Sequence, residues 1–463
     1  MPIGDTLGGF IRPGYNPLLV ADAPTIGTAS ESGADGISIT FTAPSDVGGG
    51  AVTGYTATAR DTVSGVIFAA TGSSSPVTVT GLTKGQTYTV TVSATNAYGP
   101  SGGSAASNSI AIFNGAALWM WGRNSSGQVG DASTTNRSSP VQIGVLTTWT
   151  QTGTGANITL AVKSDGTAWS WGAGGYWQSG RGTNDNTSSP NQIGALTKWV
   201  SISASYNNVA AIQSDGTMWC WGMGNYGGNG QGNTTNYNSP VQVGVLTDWL
   251  QASSGYYSCV AVKTDGTLWS WGRNNQGQIG DGTTVNRSSP VQIGALTDWA
   301  KVSRIYFTTG AIKTDGTLWM WGENNYGQLA QGNTTDKSSP VQVGALTDWL
   351  EVSAQYTHTM ALKTDGTLWA WGSNTQGAVG DGTTTSRSSP VQVGALTTWS
   401  VISAGWKSSY GLTTGGTVWS WGLNQYGELG LNNTTYYSSP VQVGALTTWA
   451  RLGQSWRAIS GIK

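Results

Sequence analysis

Few residues in this chain of 463 could carry out acid–base or nucleophilic chemistry. His358 is the single histidine, and a catalytic histidine needs both an orienting partner and a nucleophile. No such set accompanies it, so we interpret His358 as a satisfied structural residue. Asp131 recurs as Asp281 and Asp381, but Arg181 stands at an equivalent position, whereas a repeated calcium site would need its oxygens in every copy. The sequence therefore predicts no enzyme, no metal site and no cofactor.

The two cysteines, Cys220 and Cys259, are too few for a disulfide framework or a zinc cluster. They fall in strands of neighbouring predicted sheets, and packed sheets lie about 10 Å apart. That distance is too long for a disulfide. We therefore expect two separate thiols.

One column of aromatic residues has the composition of a binding site. Its members recur every 50 residues, and Ala156 is the one break: Tyr206, Tyr256, Tyr306, Tyr356, Trp406 and Trp456. Lys407 and Arg457 follow the last two, and aromatic rings beside cations suit a protein interface or a platform for sugar rings. Alternatively, the rings only cap the core on the axis of the fold. Both interpretations stay open.

Repeated strands must position this column. The pair WG falls at 121–122 and then every 50 residues up to 421–422. Within 249–294 we predict four strands, A to D: WLQASS, SCVAVK, TLWSWG and PVQIG. The TDG between B and C predicts a tight turn with a left-handed glycine. Self-similarity at this period is typical of a propeller.

The two ends of the repeat region predict that the ring closes. The region opens with a strand C that has no strand B before it, and it ends with a strand B that has no strand C after it. Both would be naked edges in a linear array, which proteins avoid. We therefore predict that 458–463 pairs with 117–122, a Velcro closure of a seven-bladed propeller. The aromatic column then lies on the face opposite the TDG turns.

The segment SAQYTHTMALKTDGTLWAWGSNTQGAVGDG (353–382) resembles the repeat of the regulator-of-chromosome-condensation family, and the likeness extends over 114–463. The resemblance implies a disc that binds another macromolecule with one face. The pairs Trp406-Lys407 and Trp456-Arg457 are similar to the Gly-Trp-Arg-His-Thr motif of the plant photoreceptor in this family. Both pairs lack its histidine.

Residues 20–113 contain no Trp and alternate apolar with polar residues. Strands are predicted in 36–44, 51–59, 76–82 and 86–99. The stretch GLTKGQTYTVTVSATNAYGPS resembles a fibronectin type III domain, with Leu82 and the corner tyrosine Tyr88 in place and Phe41 where the family has Trp. The resemblance implies a spacer or display module.

Composition limits the partners. Only 9% of residues are charged and the net charge is −1, which excludes nucleic acid and anionic membranes as expected partners. No run is long and apolar enough for membrane insertion. The first residues do not form a secretory signal, so we expect synthesis in a host cytoplasm.

These observations predict an all-β, non-enzymatic structural or adhesive virion protein of a tailed phage, in a head or tail fibre or decoration. Residues 1–19, rich in Gly and Pro, would anchor it to other virion proteins, unless they are a floppy terminus. The propeller would bind a host receptor, a surface glycan or a neighbouring protein, and a homo-oligomer is left open. The alternative is a soluble regulator or inhibitor that docks one protein partner.

Overall fold

A computed structural model describes residues 19–32, 36–83, 85–112, 116–145, 148–453 and 456–463. The predicted anchoring peptide, 1–19, lies outside these residues except for Leu19. The chain divides into two compact units, Met1–Asn114 and Gly115–Lys463. The described parts of both are built of β-strands, which confirms the predicted all-β class. Nowhere in the described ranges is there a helix of the length and hydropathy needed to cross a bilayer.

The first unit is a sandwich of two antiparallel sheets, ordered β1-β2-β5 and β4-β3-β6-β7, with β8 also paired to β6. Its strands are β1 Thr25–Ser32, β2 Gly36–Thr42, β3 Gly54–Asp61, β4 Ile67–Gly72, β5 Val77–Val79, β6 Thr87–Asn96, β7 Gly99–Pro100 and β8 Ile110–Ala111.

The predicted tyrosine corner is present, because the Thr83 amide donates to the Tyr88 hydroxyl at 3.0 Å. Phe41 packs on Tyr55 with ring centroids 4.6 Å apart. Strands β1 and β4 were missed by the sequence pattern. A bulge interrupts the alternation of β1, and β4 is an edge strand without a fully buried residue.

The second unit consists of seven four-stranded antiparallel sheets, the blades of a propeller. Blade 1 has C strand β9 Leu118–Gly122, D strand β10 Arg137–Gln142, A strand β35 Arg451–Leu452 and B strand β36 Ala458–Ile462. The strands of the other blades are given in the order A to D. Blade 2 has β11 Trp149–Thr154, β12 Ile158–Lys163, β13 Ala168–Gly172 and β14 Thr187–Gln192, and blade 3 has β15 Trp199–Ala204, β16 Asn208–Gln213, β17 Met218–Gly222 and β18 Tyr237–Gln242. Blade 4 has β19 Trp249–Gly255, β20 Ser258–Lys263, β21 Leu268–Gly272 and β22 Arg287–Gln292. A short 3₁₀ turn, Asn225–Gly227, lies in blade 3. Blade 5 has β23 Trp299–Ile305, β24 Thr308–Lys313, β25 Leu318–Gly322 and β26 Lys337–Gln342. Blade 6 has β27 Trp349–Ala354, β28 His358–Lys363, β29 Leu368–Gly372 and β30 Arg387–Gln392, and blade 7 has β31 Trp399–Ala404, β32 Ser408–Thr413, β33 Val418–Gly422 and β34 Tyr437–Gln442.

The predicted start of strand D was wrong. In blade 4 the prediction gave 290–294, whereas β22 spans Arg287–Gln292. Ser270 pairs with Val291 and Gly272 with Arg287, so the residues between them on β22 form a bulge. Pro290 lies in that bulge and has no amide to donate, which hides the strand from a periodicity argument.

The ring closes as predicted. Strand β36 pairs antiparallel with β9, with Ile459 opposite Trp121 and Ile462 opposite Leu118. Blade 1 therefore takes two strands from each end of the repeat region, in the order β10-β9-β36-β35. The Thr152 and Ser460 hydroxyls, 2.6 Å apart, tie this blade to the next one.

The tryptophans of strands A and C pack between blades, which confirms their predicted structural role. Trp249 makes edge contacts with Trp269 and Trp271 at centroid distances of 6.2 and 6.1 Å. The Trp271 indole N–H donates to the carbonyl oxygen of Gly228 in the preceding blade at 3.2 Å. Trp249 and Trp271 also share a buried cluster with Cys220 of blade 3, so blade 4 is both packed on and hydrogen-bonded to the blade before it. The equivalent indole hydrogen bond recurs in blades 2, 3, 5, 6 and 7.

The expectation of two separate thiols was right in that Cys220 and Cys259 form no disulfide, but the distance assumed between them was too long. Cys220 and Cys259 are buried in one hydrophobic cluster between blades 3 and 4, and both are free. Burial and the adjacent Cys259 thiol raise the pKa of the Cys220 thiol. The spacing of about 10 Å applies to sheet backbones, and two side chains that point into the same gap cover most of it.

The loops are sorted onto two faces. Ser258 pairs with Gly272 at one end of the B–C hairpin, and the turn at its other end contains Gly266 with φ +75°. The A–B and C–D loops therefore share one face, here called the loop face. The DG turns and D–A loops lie on the opposite turn face, where Ala116 pairs with Trp149 as the described chain enters the propeller. Residues 113–115, which precede it, lie outside the described residues.

Candidate binding face of the propeller

Small residues on the A strands bring the A–B loops together at the axis. The Ser203 hydroxyl lies 3.2 Å from that of Ser254, and the Ser253 hydroxyl donates to the Arg304 carbonyl at 2.9 Å. Arg304 itself, an exception among these small residues, is buried and donates to Thr309 Oγ1 at 2.7 Å and to the carbonyl oxygens of Cys259, at 2.8 Å, and Gln278. Adjacent strands can approach this closely because little side-chain volume separates them.

The six predicted aromatic residues meet on the loop face, in one cluster that we call the axial cap. It contains Ala156, Tyr206, Tyr256, Tyr306, Tyr356, Trp406 and Trp456. The cap is filled rather than open, because the ring of Tyr306 lies 4.6 Å from Tyr256 and 5.8 Å from Trp456. Only 6% of Trp456 is exposed, whereas the other five aromatic side chains are half-buried. Trp456 therefore belongs to the core, and the others keep a surface toward solvent.

A second aromatic column surrounds the cap, and sequence reasoning missed it. The C–D loops contribute Tyr176, Tyr226, Tyr326 and Tyr426 at equivalent positions of four repeats. Tyr176 contacts Tyr206 at 5.8 Å and Tyr326 contacts Tyr356 at 6.5 Å between ring centroids. Three of these tyrosines are among the most exposed aromatic residues of the described chain, with Tyr226 40% exposed. Their recurrence at one repeat position was a signal that the sequence contained.

Cations lie over these rings. The guanidinium carbon of Arg457 is 3.7 Å from the centroid of Trp406, and Lys407 Nζ is 5.1 Å from the same ring. Arg273 lies 5.2 Å from Tyr226 and 4.6 Å from Phe307. Cation–π contacts of this kind hold the half-buried cationic side chains against the rings.

Burial raises the pKa of three phenols of the cap and of Tyr257, which lies beside the cap. The pKa of Tyr306 rises to about 12, and the pKa values of Tyr206, Tyr257 and Tyr356 also rise. Burial also raises the pKa of Glu323, which lies beside the cap. The tyrosine hydroxyls are therefore hydrogen-bond donors throughout the physiological pH range.

Backbone strain is concentrated on this face. Bulky residues rarely adopt a positive φ, yet five do so here: Trp177 (62°), Tyr226 (64°), Tyr257 (59°), Tyr306 (69°) and Lys407 (61°). Each such residue costs on the order of 1 kcal/mol or more. The fold therefore gives up stability to place these side chains.

His358, the residue with the side chain best suited to acid–base chemistry, has a structural role. His358 is buried, with Nε2 2.9 Å from Ser409 Oγ, and burial lowers its pKa to about 4. The prediction of a satisfied structural residue therefore holds for Nε2, whereas Nδ1 has no partner in the described part of the chain. The equivalent position holds Ile, Asn, Ser, Thr, Ser and Ala in the other six blades, so the repeat does not require an imidazole there.

The recurring loop aspartates form ion pairs. Asp281 lies 2.5 Å from Arg287, and the pairs Asp131–Arg137 and Asp381–Arg387 are equivalent. Among the described residues, no group of three or more His, Cys, Asp or Glu side chains is placed to hold a metal ion.

Seven closed blades and a loop face of aromatic and cationic side chains define a binding β-propeller, here carried with a fibronectin type III module. The regulator of chromosome condensation (RCC1) repeat matches residues 116–162, 165–212, 215–262, 265–305, 315–362, 365–412 and 415–452. A second model of this repeat matches 199–227, 249–278, 351–378 and 399–428, and the fibronectin type III domain matches 22–110. The chain belongs to the RCC1-repeat family.

Solved structures show the same fold. Human WBSCR16 is 19% identical with a TM-score of 0.67, and the match covers 75% of this chain and 98% of that one. Prp20p from Saccharomyces cerevisiae is 20% identical with a TM-score of 0.69, over 76% of this chain and 92% of that one. No curated protein sequence matches the chain.

Proposed function

We propose that this protein is a non-enzymatic adhesive protein that binds a partner through the loop face of its propeller. The observation that carries the proposal is the combination of exposed tyrosines and strained backbone on that face. Tyr226 is 40% exposed and has a φ of 64°. Strain that persists at an exposed aromatic residue is typical of a functional surface.

The chemical groups that the described part of this face presents support a role in binding. His358 is buried between blades 6 and 7, where its contact is the Ser409 hydroxyl. The loop face instead presents phenols, indoles, guanidinium groups and amides, which are groups that recognise a surface. This part of the proposal predicts binding without turnover of the ligand.

We further propose that the protein is part of a tailed-phage virion, as a fibre or decoration, with the loop face directed at a host receptor, a surface glycan or a neighbouring protein. Residues 1–19 would attach it to other virion proteins. The test is to produce the full chain, and a chain lacking residues 1–19, during phage infection. Mass spectrometry of purified particles should detect only the full chain. Equal incorporation of both would exclude the tail as the anchor, and detection of neither would exclude the virion role.

The loop face is tested by two matched double variants. Tyr226→Ala with Tyr326→Ala removes exposed rings from the loop face, whereas Leu246→Ala with Leu346→Ala removes exposed leucines from the turn face. Binding of the labelled full-length protein to intact host cells should fall with the first pair and persist with the second. The opposite result would assign binding to the turn face.

The second candidate function is a soluble regulator that docks one protein partner. The contact of Arg457 with Trp406 favours it, because Arg and Trp are enriched at the energetic centres of protein interfaces. This function predicts a free protein outside particles and a single partner that is retained in stoichiometric amount.

A further inference from the structure

Three cations meet where blade 7 adjoins blade 1 on the loop face. Arg457 lies 3.7 Å from the ring of Trp406 and 5.7 Å from that of Tyr426. Arg123 is 5.6 Å from Tyr426, and Lys407 is 5.1 Å from Trp406. All five side chains are half-buried, so rings and charges form one continuous surface. We call these five residues the basic cluster.

This cluster lacks the ion pairs that neutralise other cations of the propeller. Lys263, Lys313 and Lys363 also lie over tryptophan rings, but each pairs with an aspartate 3.3 to 3.5 Å away. Within the described ranges, no ion pair includes Arg123, Lys407 or Arg457. One carboxylate is near, that of buried Glu428, which accepts the Tyr426 amide at 2.7 Å. Three cations against one carboxylate leave an excess of positive charge.

The geometry holds these charges together at an energetic cost. Burial and then the nearby positive charge of Arg123 lower the pKa of Arg457. Arg457 Nε is buried and has no hydrogen-bond partner in the described residues. An unpaired buried donor is costly, so the protein gives up stability to place this guanidinium here. The side chain as a whole is half-buried, and a guanidinium forms strong charge-assisted hydrogen bonds to an anion.

The composition of the loop face favours a sugar over a polypeptide as the ligand. Exposed amides recur at one position of its C–D loops, and they can hydrogen-bond to hydroxyl groups: Asn225, Asn275, Asn325 and, directly before Tyr426 of the cluster, Gln425. Among the described residues, Val285 is the single exposed large aliphatic residue of the C–D loops. The exposed leucines, which a protein interface would bury, recur on the turn face instead: Leu196, Leu246, Leu296, Leu346, Leu396 and Leu446.

We propose that the basic cluster binds the anionic group of an acidic saccharide, with Arg123, Lys407 and Arg457 facing the carboxylate or sulfate and Trp406 and Tyr426 facing the sugar ring. This inference rests on the proposed function, because it names the ligand class of the same loop face. An extended nucleic acid backbone fits less well, since three clustered cations do not track a line of phosphates.

The test measures calorimetric binding of the full-length protein to a short uronic-acid oligosaccharide, to its sulfated counterpart and to its carboxyl-reduced neutral counterpart. Arg457→Gln and Arg123→Gln should each weaken binding of an acidic oligosaccharide by about tenfold or more, the loss expected for one charge-assisted contact. The matched control is Lys198→Gln, which removes an exposed cation from the turn face, where it pairs with Asp215, and should leave that binding unchanged. The two acidic oligosaccharides distinguish a carboxylate site from a sulfate site.

Three outcomes would overturn the inference: equal binding of the neutral oligosaccharide, no effect of the Arg457→Gln and Arg123→Gln substitutions, or no binding of any of the three oligosaccharides. Binding to host cells distinguishes failure of this inference from failure of the proposed function. If Tyr226→Ala with Tyr326→Ala still reduces binding to host cells, the loop face binds a partner of another class, and only the saccharide is wrong. If host-cell binding survives protease treatment but not glycosidase treatment, the ligand on the cell is a glycan. The reverse sensitivity would make it a protein and would overturn the saccharide assignment.

Discussion

The guanidinium carbon of Arg457 lies 3.7 Å from the centroid of the Trp406 ring, so a cation–π contact joins the last residues of the chain to blade 7. The main chain strengthens this link, because the Trp406 amide donates to the Trp456 carbonyl at 2.8 Å. Arg457 directly precedes β36, the strand that closes the ring. The candidate binding face and the ring closure therefore share one segment, and variants must be chosen to change one without the other.

Deleting residues 458–463 removes β36 but keeps Arg457. The deletion would expose the edge of β9 and the buried side chains of Ile459 and Ile462 would be lost from the core. We expect the free energy of unfolding to fall by about 3 kcal/mol or more, from lost apolar burial alone. Chemical denaturation measures the change. Deletion of Lys463 alone, which removes its main-chain pairing with Ala117 and its contact with Trp119 but keeps Ile459 and Ile462, should have a smaller effect. An unchanged unfolding midpoint would show that closure does not depend on β36.

Trp177 offers a test of the strain on the loop face. Its φ is 62°, and glycine stands at its position in the other six repeats, for example Gly127 and Gly277. Trp177→Gly should therefore be more stable than Trp177→Ala by about 1 kcal/mol, since alanine is penalised at positive φ and glycine is not. Thermal unfolding of the two variants measures the difference. If instead the Trp177→Ala variant is the more stable of the two, as is usual for alanine compared with glycine, the backbone at this position is not left-handed in solution.

The propeller could be predicted from the sequence because its signals are local and repeated. These signals are the DG turns and the alternation of strands B and C, which are found within each repeat, and the unmatched strands at the two ends of the repeat region. The second aromatic column was missed because Tyr176 and Tyr226 contact the following blade rather than their own. The adjacency of Cys220 and Cys259 was missed for the same reason, because the direction of a side chain into a gap between blades is not set by its own repeat.

The Asp–Arg ion pair of the C–D loops is replaced by two other residues in blade 7, and this replacement can be introduced into blade 4 as a test. Asp281 and Arg287 form an ion pair, whereas Leu431 and Tyr437 stand at these positions in blade 7. We expect Asp281→Leu alone to destabilise, because Arg287 loses its partner and the Thr283 hydroxyl and amide lose their acceptor. Adding Arg287→Tyr should restore part of the loss, with a coupling energy of about 1 kcal/mol in a double-mutant cycle. Strict additivity would show that the two positions do not interact.

His358 should make the stability of the protein depend on pH below neutrality. Its pKa is lowered by burial to about 4 from the ordinary 6.5. Between these values the unfolded chain binds a proton that the folded chain does not, so stability is complete above pH 6.5 and falls as the pH is lowered toward 4. Each pH unit in this range contributes about 1.4 kcal/mol, or about 3 kcal/mol over the whole range.

His358→Ser, which introduces the residue found at Ser258 and Ser408, removes this contribution while leaving the carboxylates of the protein in place. The free energy of unfolding of the wild type relative to this variant should therefore decrease by about 3 kcal/mol between pH 7 and pH 4 in denaturant titrations. A difference that stays constant over this range would mean that the His358 ring takes up its proton at the same pH in the folded and the unfolded chain, and that the Ser409 contact accommodates an imidazolium below pH 6.5.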